Sequence, residues 1–221
     1  MGTIRKLLAK VTPAKAYKLH AYTGAGGQFD YERYRKAQVA GNKAKLGKVW
    51  VKRETVALIA RYIEARGIKP EFGLCHGTRR GMEQKWFAEE LGCRVLGTEI
   101  SDTATQFPDT IEHDFHETRP EWIGACDFIY SNSFDHAYDP EKALTAWVSC
   151  LKPHGLIVME HTSGHEAAAT SEMDPFGAAL TLMPYLVTTW GKGRFHVAEI
   201  LDFPHPKKTG YSKALVVEKR R

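Results

Sequence analysis

The stretch FGLCHGTRRGMEQKWFAEELGCRVLGTEI, Phe72 to Ile100, decides the fold. Its apolar opening, Phe72 to Cys75, reads as a short buried strand, and His76, Gly77 and Thr78 as a tight turn. Met82, Trp86, Phe87 and Leu91 recur at helical spacing, and Val95 to Ile100 reads as a second strand carrying a carboxylate, Glu99, near its end. A strand feeding a turn that opens a helix is expected to aim backbone N–H groups into one crevice, at the positive end of the helix dipole. The acid closing the next strand then stands where it can accept from both hydroxyls of a ribose. An adenosine-type pocket is the reading.

Outward from this unit, strand and helix keep alternating. Glu54 to Arg66 reads as a helix, with Val56, Ile59, Ala60 and Ile63 on one face and Gly67 as its stop. Thr110 to Phe115 is a third strand and Asp127 to Ser133 a fourth. Asp139-Pro140 is an N-cap followed by proline at the first helical position, and Lys152 to Gly155 turns the chain into a fifth strand, LIVME. Pro175 to Trp190 reads as a helix kinked at Pro184. Phe195 to Phe203 and Tyr211 to Glu218 are joined by too short a loop for a crossover, which predicts an antiparallel hairpin. The sum is an α/β chain with a doubly wound, mostly parallel, seven-stranded sheet whose last strand is antiparallel.

The 221 residues carry a net charge of +5, unevenly distributed. Up to Arg53 there are thirteen lysines and arginines against only Asp30 and Glu32, so the remainder is acidic. Residues 1–53 therefore read as a basic, mainly helical extension on a main domain of residues 54–221. Within it, residues 1–12 form a small amphipathic helix, Thr23 to Gln28 a flexible joint, and Tyr31 to Lys48 a polar helix suited to a lid or acceptor cap. Four cysteines without a C-x-x-C pair are expected to be buried thiols in a reducing cytoplasm. No apolar run is long enough to span a bilayer, and the first residues lack the apolar core of a secretory signal.

The segments VLGTEIS, HDFHE and above all FDHAYDPEKALTAWVSCLKPHGLIVMEH resemble a class I S-adenosylmethionine-dependent methyltransferase, of the ubiquinone/menaquinone-type branch, over about residues 54–218. The resemblance implies a Rossmann-like fold, S-adenosyl-L-methionine as cofactor and S-adenosyl-L-homocysteine as product. It implies that Glu99 holds the ribose hydroxyls, that Ile100 packs on the adenine, and that Asp114, with Phe115 beside it, accepts from the adenine amino group. Cys75, His76, Gly77 and Thr78 would wrap the methionine part, and Ser131, Asn132 and Ser133 would line the floor below the sulfonium. The glycine-rich turn departs from the family. Gly73 replaces its acid, Cys75 its first glycine and Arg79 its third, which puts Arg79 near the cofactor carboxylate or an anionic substrate.

Methyl transfer needs a base only when the acceptor must lose a proton. His136, after the fourth strand, and His161, at the end of the fifth, are the candidates, with Asp135 and Glu160 as neighbours that could orient them and His165 in the next loop. His113, Asp114 and His116 fit no standard metal-ligand spacing, and no metal is expected. The N-methylating Asn/Asp-Pro-Pro-aromatic motif is absent, SNSF standing in its place, and aromatic residues are sparse in the basic arm, so nucleic acid is disfavoured. A small-molecule, sugar or carrier-linked acceptor, methylated at oxygen, is the reading. The alternatives are a non-catalytic cofactor-binding subunit and an RNA methyltransferase using the basic arm.

Overall fold

The computed structural model describes residues 17–204 and 210–220. The amphipathic helix expected in residues 1–12 lies outside them. Strand β1 (Tyr17–Leu19) is followed by helices α1 (Tyr31–Ala44) and α2 (Arg53–Ala65), strand β2 (Phe72–His76), helix α3 (Met82–Leu91) and strand β3 (Arg94–Glu99). Then come β4 (Thr110–Glu112), β5 (Cys126–Ser131), α4 (Pro140–Cys150), β6 (Leu151–Thr162), β7 (Phe176–Ala178), α5 (Met183–Gly191), β8 (Phe195–Phe203) and β9 (Ser212–Lys219).

Seven strands form one sheet in the order β4-β3-β2-β5-β6-β9-β8. The first five are parallel, and β9 enters antiparallel between β6 and β8. The chain winds outward from β2 to β4 and then returns to the other side of β2. The sheet therefore has its switch point between β2 and β5, where ligands of such folds bind.

Alternation along the strands builds the two cores. In β5, Phe128 and Tyr130 face one way, against Val56, Ile59 and Ile63 of α2 and Phe87 of α3. Ile129 faces the other way, where Leu144 and Trp147 of α4 and Val187 of α5 cover the sheet. Gly73, the residue that replaces the family's acid, sits under the first layer. A Cβ built on it would stand 2.3 Å from the fully buried Phe128 ring.

Local signals explain most element ends. The Asp30 side chain caps α1 by accepting from Arg33 N, and the Asp139 side chain caps α4 by accepting from Lys142 N, with Pro140 following as expected. Two expectations are corrected. Residues 175–190 are not one kinked helix: Phe176–Ala178 pairs antiparallel with Tyr17–Leu19, and Pro184 falls in the first turn of α5, where its missing N–H costs nothing. The glycine-rich segment at 23–28 is a closed turn rather than a joint, because Thr23 bridges Phe29 and Gly24 N donates to Gln28 O. All four cysteines are free thiols, three of them buried. Among the described residues no helix is long and apolar enough to cross a membrane.

Gly73→Ala should therefore lower stability by about 1–3 kcal/mol, the usual cost of overpacking a rigid core. Gly47→Ala, at a position with open space around it, should change it by less than about 0.5 kcal/mol. Urea unfolding of the two variants checks the difference.

Candidate active site

At the switch point the ends of β2 and β5 are laced together. Ser131 Oγ donates to His76 O (3.0 Å), Ser133 N donates to Ser131 Oγ (3.0 Å), and Ser133 Oγ donates to Gly77 O (3.2 Å). Gly77 has φ +74°, and a Cβ there would lie 2.6 Å from that of Ser133, so both conformation and space require glycine. Arg79, where the family has its third glycine, also takes a positive φ, 45°.

The N–H groups of this turn are already engaged, which corrects the expectation of a free donor array. Gly77 N and Thr78 N donate to Thr98 O, and Gly81 N donates to Thr78 O. The turn's remaining link runs to the acid. Glu99 Oε2 accepts from Arg79 N (3.1 Å) and Oε1 from Ser101 N (3.2 Å). Two backbone donors thus aim one buried carboxylate, leaving lone pairs for a ligand.

Helix α1 closes over this edge. Tyr34, Gln38, Gly41, Asn42 and Lys45 from the helix face Gly77, Arg79, Glu99, Ile100, Asp114, Phe115, Ser133 and His136 across a crevice of about 570 Å³. Its exposed cations bridge the two rims, Arg35 to Glu112 (2.8 Å) and Lys43 to Asp102 (2.9 Å) on one side, Arg33 to Glu172 (2.9 Å) on the other. The Tyr31 hydroxyl donates to Asp114 Oδ2 (3.0 Å), and His116 donates to Asp114 Oδ1 from its backbone N and Nδ1. Burial would raise the Asp114 carboxyl, but these hydrogen bonds outweigh it and hold the group below the usual carboxylate range.

The residues singled out in the sequence do not all meet in one place. Gly77, Arg79, Glu99, Ile100, Asp114, Phe115, Ser133 and His136 meet at the crevice. Cys75, His76 and Ser131 turn away from it. Cys75 belongs to the core under α2 and α3, where burial raises its thiol pKa. His76 stacks on Trp147 at 4.8 Å, with Nδ1 2.8 Å from Thr98 Oγ1, and burial pushes its pKa down to about 3. These side chains alternate across a strand, so a motif that matches along the backbone does not carry every side chain into the pocket. Thr78 and Asn132 line a smaller recess beyond Gly77, beside Glu83, Lys48 and Trp50. There burial raises the Glu83 carboxyl to about 8.

The two candidate histidines also part. His161 is buried, with Nε2 3.0 Å from Ala178 O and Nδ1 3.0 Å from the Tyr211 hydroxyl, and burial lowers its pKa to about 4. That is a structural imidazole, and the expectation of His161 as base is corrected. His136 lies on the crevice wall. Its Nδ1 is 2.7 Å from Gln38 Oε1, and the Gln38 amide is oriented by donating to Met173 O (3.1 Å). Nδ1 therefore carries the proton, leaving the lone pair on Nε2, 3.7 Å from Asp174 Oδ1. Asp135 is buried beside it, with Oδ2 3.8 Å from His165 Nε2.

Tyr34, Gln38, Asn42 and Asp174 were missed in the sequence. The signal was present for the first three. Positions 34, 38 and 42 share one helical face, but it is polar, which ordinarily marks the solvent side.

A model of the methyltransferase domain matches residues 74–159. The 1,6-didemethyltoxoflavin-N1-methyltransferase of Burkholderia thailandensis, solved with 1,6-didemethyltoxoflavin and S-adenosylhomocysteine, is similar over 90% of this chain and 93% of its own. The TM-score is 0.66 and the identity 13%. A plantazolicin methyltransferase solved with S-adenosylhomocysteine and a triazolic desmethylPZN analogue covers 86% of this chain and 96% of its own (TM-score 0.62, identity 13%). A TehB-like methyltransferase from Corynebacterium glutamicum covers 86% and 99% (TM-score 0.54, identity 18%). No curated protein matches the chain by sequence.

The structural role of His161 has a pH signature. Its folded pKa lies below the ~6.5 of an unfolded histidine, so the unfolded chain binds more protons as pH falls, and stability drops from about pH 6.5 towards the folded value. His161→Gln should show a shallower loss of melting temperature than the parent between about pH 6.5 and about pH 4.5, read by thermal unfolding across that range. A methyltransferase domain model over residues 74–159 and the architecture shared with these neighbours make the chain similar in fold to S-adenosylmethionine-dependent methyltransferases.

Proposed function

We propose that this methyltransferase acts on a hydroxyl oxygen of a small acceptor, one that carries an acidic group, and that residues 1–53 serve as the lid of its cofactor site. The crevice suits the cofactor by two features of the chain itself. Glu99 has lone pairs to accept from ribose hydroxyls. The Asn42 amide and Arg79 Nε are buried donors without partners, as a polar ligand between them would require. On this reading Ile100 and Phe115 flank the adenine and Asp114 accepts from its amino group. Ser133 and Gly77 form the floor under the methionine part, beside Thr78 and Asn132.

S-adenosylmethionine supplies an electrophilic methyl on its sulfonium, whose C–S electron pair stays with sulfur as an acceptor lone pair attacks. The protein's own work is to align the acceptor and take its proton. The observation that carries the oxygen assignment is His136. Gln38 fixes its tautomer, its Nε2 is free to receive a hydroxyl proton, and Asp174 stands ready to stabilise the resulting imidazolium. Lys45 and Arg79, facing each other across the crevice, favour an acidic acceptor. The RNA-clamp alternative loses support, because Arg33, Arg35, Lys43 and Arg53 of the basic arm are paired with acids of this chain.

Glu99→Ala should weaken S-adenosylhomocysteine binding at least about tenfold, since charge-assisted hydrogen bonds of this kind contribute about 1.5–3 kcal/mol. Calorimetric titration measures it, and unchanged affinity removes Glu99 from the ribose. His136→Ala should lower turnover by about 10²–10⁴-fold, the usual contribution of a general base, while S-adenosylhomocysteine affinity stays close to that of the parent. Methyl-labelled cofactor with acceptor pools from cell extract supplies the assay. Cofactor binding without any labelled product would instead favour the non-catalytic subunit.

A further inference from the structure

Asp135 and His136 leave the turn after β5, and Asp174 precedes β7, yet one donor atom from each lies within 4.8 Å of the other two. Ordinary hydrogen bonding does not account for this convergence. His136 Nε2 and Asp174 Oδ1 are 3.7 Å apart, beyond hydrogen-bonding distance. Asp135 is only 8% exposed, and its Oδ1 has no partner among the described residues. A carboxylate in such a place is costly unless something positive sits beside it. His165 offers little relief. Its Nε2 is 3.8 Å from Asp135 Oδ2, on the other oxygen.

Each donor is prepared for a cation. The Gln38 amide holds the proton of His136 on Nδ1, which leaves Nε2 as a ligand lone pair, and a partner on the far ring nitrogen is how metal-bound histidines are commonly fixed. Ligands about 2.0–2.2 Å from one ion stand roughly 3–4.3 Å from each other, and the 3.7 Å gap falls within that range.

We propose that Asp135, His136 and Asp174 bind a divalent cation at the acceptor end of the crevice. Two carboxylates and one imidazole suit an ion of intermediate hardness such as Mn²⁺. Three protein ligands leave coordination positions for acceptor oxygens, whose hydroxyl would bind with lowered pKa and release its proton to water. This rests on the reading of that end as the acceptor site and revises one role in it: His136 Nε2 holds the ion, and water in place of His136 takes the acceptor's proton.

The test is direct Mn²⁺ binding to the full chain, followed by loss of the free-ion electron paramagnetic resonance signal and by calorimetry, with S-adenosylhomocysteine titrated separately. One Mn²⁺ per chain is expected, weakened at least tenfold in Asp135→Asn and in Asp174→Asn. S-adenosylhomocysteine binding near that of the parent shows that the variants are folded. No binding of Mn²⁺ or Zn²⁺ at millimolar concentration overturns the proposal, as does binding that persists unchanged in the double variant. Should the ion fail to bind while labelled product still forms in the presence of chelator, the cation falls and the methyl-transfer reading stands. Should the ion bind and no product form with any acceptor, the reverse holds.

Discussion

Where β2 and β5 diverge, the Ser133 side chain lies against the bare Cα of Gly77, with room for no further carbon between them. That contact lets Ser133 Oγ reach Gly77 O while Ser131 Oγ reaches His76 O, so the two strands stay fastened beyond the point where their ladder ends. With the turn held there, Arg79 N falls within reach of Glu99, and the acid's direction is set by backbone rather than by a side-chain partner that could swing away. The fixed end of β2 therefore positions both walls of the crevice. Arg79 keeps a left-handed φ in place of the family's glycine, a strain of order 1 kcal/mol, and in return brings a cation to a wall that glycine would have left uncharged.

Helix α1 turns that open edge into an enclosed site, and it does so with polar groups. An apolar helix face would seal the crevice permanently. Here Gln38 and Asn42 are buried beside Tyr34, which packs on Tyr22, His116 and Tyr138, while exposed ion pairs, each contributing about 0–1 kcal/mol, grip the rims. The inward amides of this helix have defined tasks. Gln38 reads the carbonyl of Met173 on one side and sets the proton of His136 on the other.

Much of the fold was legible because the strands of the parallel sheet are short, apolar and bounded by turn residues, and because Asp139-Pro140 announces its helix by a local mechanism that needs no tertiary partner. What was illegible depended on distant contacts. Phe176–Ala178 is three residues long and becomes a strand only because Tyr17–Leu19 lies alongside it. Pro184 reads as a kink only if the helix is assumed to begin at Pro175. The site shows the same division. Glu99, Asp114 and Ser133 end or follow strands and could be placed by register. Asp174 reaches the site from a loop whose course no local pattern encodes. Cys75 and His76 misled for another reason, since their side chains take whatever face the strand's alternation gives them.

The two histidines after the central strands show how environment assigns roles to one residue type. His161 ends β6 under the cover of Tyr211 and Ala178, with both nitrogens engaged and the charged form suppressed by burial. His136, only partly buried, has one nitrogen committed to Gln38 and the other unassigned within the chain, facing two carboxylates. An imidazole in the first setting stabilises a fold, and one in the second is suited to exchange a proton or a ligand. The difference arises from what α1 brings down onto the sheet edge. The setting of His136 is thus written jointly by the turn after β5, which supplies Asp135 and His136, and by the helix that packs over it.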